Sequence, residues 1–322
     1  MRRLSRFLIP ISILVPSIAA YFANATLTAA ANPDVARATV PDPALAPDKV
    51  DIDLTGYTLT FNDEFDDLSV TTRSPKGNAT WYYIPPYGPA GNYSASMWDI
   101  SALGVTNGVL SIKAFTDANG AWHSGNISSM DATGQGFSQR YGYFEVRARM
   151  PRSGTGSWPA FWLLSSTSIN NALKRNYSEI DIFEWYGNAY TEKGAFIQQA
   201  SHNWKANGNP GEGAQLYSPA TPMPNGAKPW EDFHIYGCQI DPDHITWYID
   251  GVQTNQISAT KSSDYMTGPY YIMLDYALGG GWPIANVKDG STFEIDWVRV
   301  YSLPQKRGVA SVRSATDSSR AH

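Results

Sequence analysis

Tyr141-Gly-Tyr-Phe-Glu-Val-Arg-Ala-Arg149 alternates apolar and polar side chains. That is the mark of a β-strand with one face on a core and the other in water, because successive side chains on a strand point to opposite faces. The same signal returns on either side of it. Upstream are Tyr57-Thr-Leu-Thr-Phe61 and Val109-Leu-Ser-Ile-Lys-Ala114; downstream are Ile245-Thr-Trp-Tyr-Ile249, Tyr270-Tyr-Ile-Met-Leu274 and Phe293-Glu-Ile-Asp-Trp-Val-Arg-Val-Tyr301. Gly, Pro, Asn and Asp punctuate the gaps, and Ile249-Asp-Gly-Val252 supplies a hairpin turn of the Asp-Gly type. No internal repeat and no long segment with a 3.6-residue apolar period interrupts the strands. The pattern predicts an all-β body, a β-sandwich or jelly roll of antiparallel strands whose concave face could hold an extended ligand.

Composition narrows the function. Of 322 residues 43% are hydrophobic, enough for a sizeable core, and only 16% are charged with a formal net charge of -5. No basic field is available for a nucleic acid or an anionic membrane surface. The 11 Trp and 19 Tyr suit faces that stack on sugar rings, although any one of them serves equally well as core. The single cysteine, Cys238, lies in the strand-like run His234-Ile-Tyr-Gly-Cys-Gln-Ile240 and reads as a buried, inert thiol.

The chain begins with Met1-Arg-Arg-Leu-Ser-Arg, an apolar run from Phe7 to Phe22 and the small-x-small site Ala23-Asn-Ala25. Residues 1–25 are therefore expected to be a secretory signal peptide, so that the mature protein is extracellular or periplasmic and free of the membrane. Residues 26–53, rich in Ala, Pro and Asp, read as a flexible leader, and 304–322 as a flexible tail.

The chemistry lies in Ser178-Glu-Ile-Asp-Ile-Phe-Glu-Trp-Tyr-Gly187, where three acids sit in a strand that is otherwise apolar. Glu179 and Asp181 share a face by the two-residue period, and Glu184 falls on the other. One extra residue in a β-bulge between Asp181 and Glu184 restores the parity. Three neighbouring carboxylates repel, which separates them into ionised and protonated partners. Glycosidic cleavage uses such a pair, and neighbours on one strand fit the separation of roughly 5 to 5.5 Å of a retaining mechanism better than the wider inverting one. The alternatives are a solvated Glu184 and a calcium site, the latter disfavoured because calcium loops are rich in Gly and Asp.

These residues resemble glycoside hydrolase family 16, in its bulged ExDxxE branch of laminarinase-, lichenase- and agarase-like enzymes. Further similar stretches occur in the family's order: Phe61-Asn-Asp-Glu-Phe-Asp66, Gln139 to Pro151, Ser157-Trp-Pro-Ala-Phe-Trp-Leu-Leu164, Asp232 to Gly237, Ile245 to Gly251, Leu278-Gly-Gly-Gly-Trp-Pro283 and Ile295 to Val300. The resemblance, over residues 54–303, implies a β-jelly-roll sandwich of two antiparallel sheets with a concave substrate cleft, and an endo-β-glycanase, expected to be a monomer, that needs no cofactor for catalysis and acts on a β-linked polysaccharide. It implies Glu179 as nucleophile, Glu184 as acid/base and Asp181 as the acid that tunes Glu179. Trp158 matches a residue beside the cleavage subsite and His202 a cleft histidine near the acid/base, with a hydrogen-bonded core histidine as the alternative; Trp282, in its Gly-rich setting, is expected to contact substrate, with Trp162 and Trp204 in cleft or core. It also implies a structural calcium held by Glu64, the backbone carbonyl of Gly108, and Asp296, with solvated or salt-bridged carboxylates as the alternative. The segment Tyr82 to Tyr93 departs from the laminarinase pattern, so the substrate stays open among β-1,3-glucan, β-1,3-1,4-glucan and bacterial exopolysaccharide. A transglycosylase of the same fold and a non-catalytic carbohydrate-binding protein are the competing functions.

Overall fold

The computed structural model describes residues 51–87, 94–169, 176–187, 196–207, 211, 216–259 and 268–304. The expected signal peptide, nearly all of the leader, the tail after Pro304 and the part of the aromatic loop at 88–93 lie outside the described residues. Among the described residues every element is a strand except short 3-10 turns such as Ile100–Ala102 and Pro224–Gly226. No described helix is long and apolar enough to cross a membrane.

The strands form two sheets. In the first, spatial order runs Val252–Ser258, His244–Ile249, His234–Ile240, Gly142–Arg149, Ser291–Ser302, Val109–Thr116 and on to short edge strands. The second, which carries the site, runs Leu216–Pro222, Phe196–Trp204, Tyr177–Glu184, Ser157–Ser165, Tyr270–Leu278, Asn126–Ser128, Trp81–Tyr82, Val70–Thr71. Pairing is antiparallel apart from two short parallel pairs near the edges, Val70–Thr71 with Trp81–Tyr82 and Met97–Trp98 with Trp122–Ser124. The Asp-Gly turn forms as expected: Asp250 and Gly251 both take positive φ (51° and 79°), matching the twist of the strands it joins.

The sheets face each other across one apolar layer. Phe144, Val146 and Ala148 from the first alternating stretch meet Tyr236, Cys238, Ile245, Trp247 and Val298 on the same sheet, and Phe161, Leu163, Ile180, Ile272 and Leu274 opposite. Cys238 is fully buried there, and burial pushes its thiol well above the ordinary range, so it is no nucleophile. Burying these side chains, at about 25 cal/mol per Å² of apolar surface, is the main force holding the sandwich together.

The residues named for a structural calcium carry ion pairs. Both carboxylate oxygens of Glu64 accept from Arg299, at 2.9 and 2.8 Å, and Asp296 pairs with Arg147 at 2.5 Å. Gly108 adjoins the backbone of Glu64. Each of the two carboxylates thus faces its own guanidinium group. The salt-bridged alternative is the one seen.

Candidate active site

The register of the Tyr177–Glu184 strand contains the bulge. Asp181 pairs with Ala200 and Glu184 with Gln198, so three steps on one strand match two on its neighbour. The opposite neighbour shows the same slip: Phe161 and Trp162 are adjacent, while their partners are Phe183 and Asp181. Ile180, Ile182, Phe183 and Trp185 consequently all enter the core, two of them consecutive. Glu179, Asp181 and Glu184 line one pocket with Trp158, Ala160, Trp162, Asp275 and Ala277. A bulge disrupts the ladder locally. Here the indole N–H of Trp247, reaching across the core from the other sheet, donates to the Asp181 carbonyl at 2.9 Å. Trp247→Phe leaves that carbonyl unpaired in the core and is expected to cost about 1–3 kcal/mol, read as a lowered urea midpoint.

Glu184 is the most heavily hydrogen-bonded of the three. Its Oε1 accepts from Trp158 Nε1 at 2.9 Å and from the Tyr186 hydroxyl at 2.7 Å, and its Oε2 accepts from Gln198 Nε2 at 2.6 Å. Among the described residues, Glu179 Oε2 accepts from Trp204 Nε1, at 3.1 Å. One carboxylate oxygen each of Glu179 and Asp181 and a ring nitrogen of His202 lie within 4.8 Å of one another. His202 Nε2 stands 3.3 Å from Asp181 Oδ2, in ion-pair range but poorly aligned, and that buried oxygen has no hydrogen bond among the described residues.

These surroundings sort the protons. Burial, then the charges of Glu184 and Asp275, push Asp181 well above the usual carboxylate range. Burial and the Asp181 charge push Glu179 up to about 8, with Glu184 adding to the rise and His202 and Trp204 opposing it. Burial therefore favours the protonated form of Asp181, since a buried carboxylate oxygen without a donor is costly to ionise. With Asp181 neutral, the second-largest cause of the Glu179 shift disappears. Glu179 then ionises more readily, beside an acid that can donate to it.

This geometry accompanies a family match over residues 58–303, to the model described as the GH16 domain of beta-porphyranases A-D. The chain belongs to glycoside hydrolase family 16. Among its relatives, endo-1,3-1,4-beta-glycanase ExsH of Rhizobium meliloti is 28% identical over 280 residues, covering 79% of this chain and 54% of that protein. The chain thus spans about half the length of this curated relative. Keratan-sulfate endo-1,4-beta-galactosidase of Sphingobacterium multivorum is 26% identical over 318 residues, covering 94% of this chain and 68% of that protein. The endo-beta-1,3-glucanase structure from Pyrococcus furiosus superposes with a TM-score of 0.59 at 25% identity, covering 80% of this chain and 98% of that one. The jelly roll is therefore the family 16 fold.

The second sheet carries Glu179, Asp181, Glu184, Trp158 and His202, and Trp282 stands in the turn that follows Tyr270–Leu278. Trp158 is buried against Glu184 and stacks on Tyr186, ring centroids 5.7 Å apart. Trp282, 37% exposed, sits 6.4 Å from Tyr186 and extends this aromatic wall toward solvent. His202 stacks on Trp204 at 5.5 Å, and both Trp162 and Trp204 point their indole N–H groups at site acids. Sequence reasoning missed Gln198, Tyr186 and Asp275. A signal existed for the last, because Asp275 is the lone acid in the wholly buried strand Tyr270–Leu278, one residue beyond the apolar stretch first read.

Proposed function

We propose that this family 16 chain is a retaining endo-β-glycanase that cleaves a β-linked polysaccharide by double displacement. The observation that carries the proposal is the set of three carboxylates brought to one cleft face by the bulge, with Glu184 gripped by Trp158, Tyr186 and Gln198. In this reading Glu179 attacks the anomeric carbon while Glu184 protonates the departing glycosidic oxygen. Glu184, now a carboxylate, then takes a proton from water as that water opens the glycosyl-enzyme ester. Asp181 holds its proton beside Glu179 and returns hydrogen-bond donation to it when it leaves. Gln198 suits the acid/base partner, since its amide can donate to a carboxylate or, turned over, accept from a carboxylic acid. Trp158, Tyr186 and Trp282 offer ring faces to the sugars, and His202 flanks the nucleophile side.

The names of the relatives support a glycan substrate, and an array of laminarin, lichenan, agarose, carrageenan and bacterial exopolysaccharides selects among them. Export follows from the pattern of residues 1–25. Two inversions at the anomeric carbon return the β-configuration, so proton NMR of a fresh digest, read before mutarotation, is expected to show the β-anomer first. An α-anomer rising first means direct attack by water and rejects this mechanism.

A further inference from the structure

The aromatic wall of the cleft ends beside a second pocket that the double-displacement reading does not use. Arg152, Ser153, Gly154, Thr155, Asn286 and Lys288 line an open cavity of about 640 Å³, a size usual for small-molecule sites. Two close backbone contacts join it to the wall. Gly187, which follows Tyr186, takes a φ of 65°, and a Cβ there would collide with the Gly154 carbonyl oxygen. Gly156 takes a φ of 88°, and a Cβ there would stand 2.5 Å from the carbonyl oxygen of Pro283, which follows Trp282. Only glycine suits these two positions, and with it the chain brings the pocket up against Tyr186 and Trp282.

The lining is cationic and its backbone is fixed. Ser153 Oγ accepts from the Lys288 amide at 2.9 Å, which ties Lys288 to the residue next to Arg152. Both charged side chains are exposed. Among the described residues Arg147, Arg149 and Arg299 each meet a carboxylate, whereas Arg152 and Lys288 have no ion-pair partner. The adjoining acid, Asp289, turns Oδ1 to the Thr116 amide instead, at 2.8 Å. Two cations gathered without a counter-charge make a local positive field, in a chain whose formal net charge is -5. An acidic group is drawn to this place against the sign of the whole molecule.

We propose that the Arg152–Lys288 pocket is a subsite for an anionic substituent of the polysaccharide, a carboxylate or a sulfate ester on a sugar that leans on Trp282. This rests on the reading of the cleft as that of a glycanase. A guanidinium group meets two oxygens of either anion at once, the ammonium group adds a point charge, and Thr155 and Asn286 carry further donors. The subsite selects an acidic polymer over its neutral form and takes no part in bond cleavage.

The test compares the wild type with the double variant Arg152→Gln/Lys288→Gln on laminarin, laminarin sulfate and carboxymethyl-laminarin, three forms of one β-glucan. Glutamine keeps much of each stem and removes the charge. The quantity read is kcat/KM on each charged form divided by kcat/KM on laminarin. For the acid that the pocket takes, this ratio is expected to fall at least about 5-fold in the variant, through KM, and the gap to narrow in about 0.5 M NaCl. A fall confined to one charged form assigns sulfate or carboxylate, and a fall with both assigns their shared charge. An unchanged ratio for both forms makes Arg152 and Lys288 ordinary solvated charges and overturns the proposal, as does a fall carried by kcat alone. Where laminarin is not cut, retardation in native gels containing the three polymers replaces the rate. Retardation by a charged form that the variant loses supports the pocket, and equal retardation of the two proteins overturns it. Failure to cut any polymer of the array rejects the glycanase reading instead, a result on which the gels do not depend.

Discussion

Glu179→Gln and Glu184→Gln are each expected to lower kcat by at least about 10³-fold while leaving the thermal midpoint close to that of the wild type. Glutamine conserves volume at both positions. At 184 its carbonyl oxygen still accepts from Trp158 and Tyr186, and Gln198 can turn its amide to meet the new NH₂ group. At 179 the oxygen can still accept from Trp204. What disappears is the nucleophile in one case and the transferable proton in the other. Azide separates the two roles: added to Glu184→Gly it is expected to restore turnover in part, as a small anion that attacks the glycosyl-enzyme without base assistance. Wild-type turnover in either glutamine variant, at matched protein and substrate, removes the residue from the mechanism.

Deleting Ile182 is expected to leave Glu184 on the cleft face and to retain measurable turnover, because it removes the residue that the bulge accommodates: Asp181 and Glu184 then stand two apart and share a face by the regular period. What the deletion costs is packing, since Ile182 and Phe183 both enter the core and only one of the two positions remains. A loss of about 2–5 kcal/mol is expected, as for removal of a large buried aliphatic side chain. Ile182→Val is the control. It keeps the residue count and removes one methylene, at about 0.5–1.5 kcal/mol, with turnover preserved. Thermal unfolding and activity per folded molecule distinguish the two variants, and a deletion variant that folds but is as inactive as Glu184→Gln shows that parity does not place Glu184.

The bulge is the part of the site most legible without coordinates. Alternation along a strand is a local rule, and three acids at positions 179, 181 and 184 can share a face only if one residue is added between the second and third. Ile182 and Phe183, neighbours that both enter the core, are the physical form of that argument. The aromatic partners were partly legible. Trp158 and Trp282 stand out as residue types that stack on sugars, but nothing local shows that Trp158 donates to Glu184, 26 residues away.

The remaining features depend on which strands become neighbours. Asp275 joins the site because Ser157–Ser165 is inserted between its strand and the bulged one, and its anchor Trp162 is 113 residues away in the chain. Trp247 caps the Asp181 carbonyl from the opposite sheet across 66 residues. Glu64 and Asp296 carry the right atoms for a cation, yet each meets an arginine brought alongside by strand pairing or by contacts distant in sequence. The sequence by itself determined the strand content, the parity that demands a bulge and the acids that share its face, because these follow from the geometry of one chain segment. Only the tertiary structure decided the hydrogen-bond partners, the order of protonation and the arginines that meet Glu64 and Asp296. Those depend on register and burial, and both are set by long-range packing of the sheets rather than by any local run of residues.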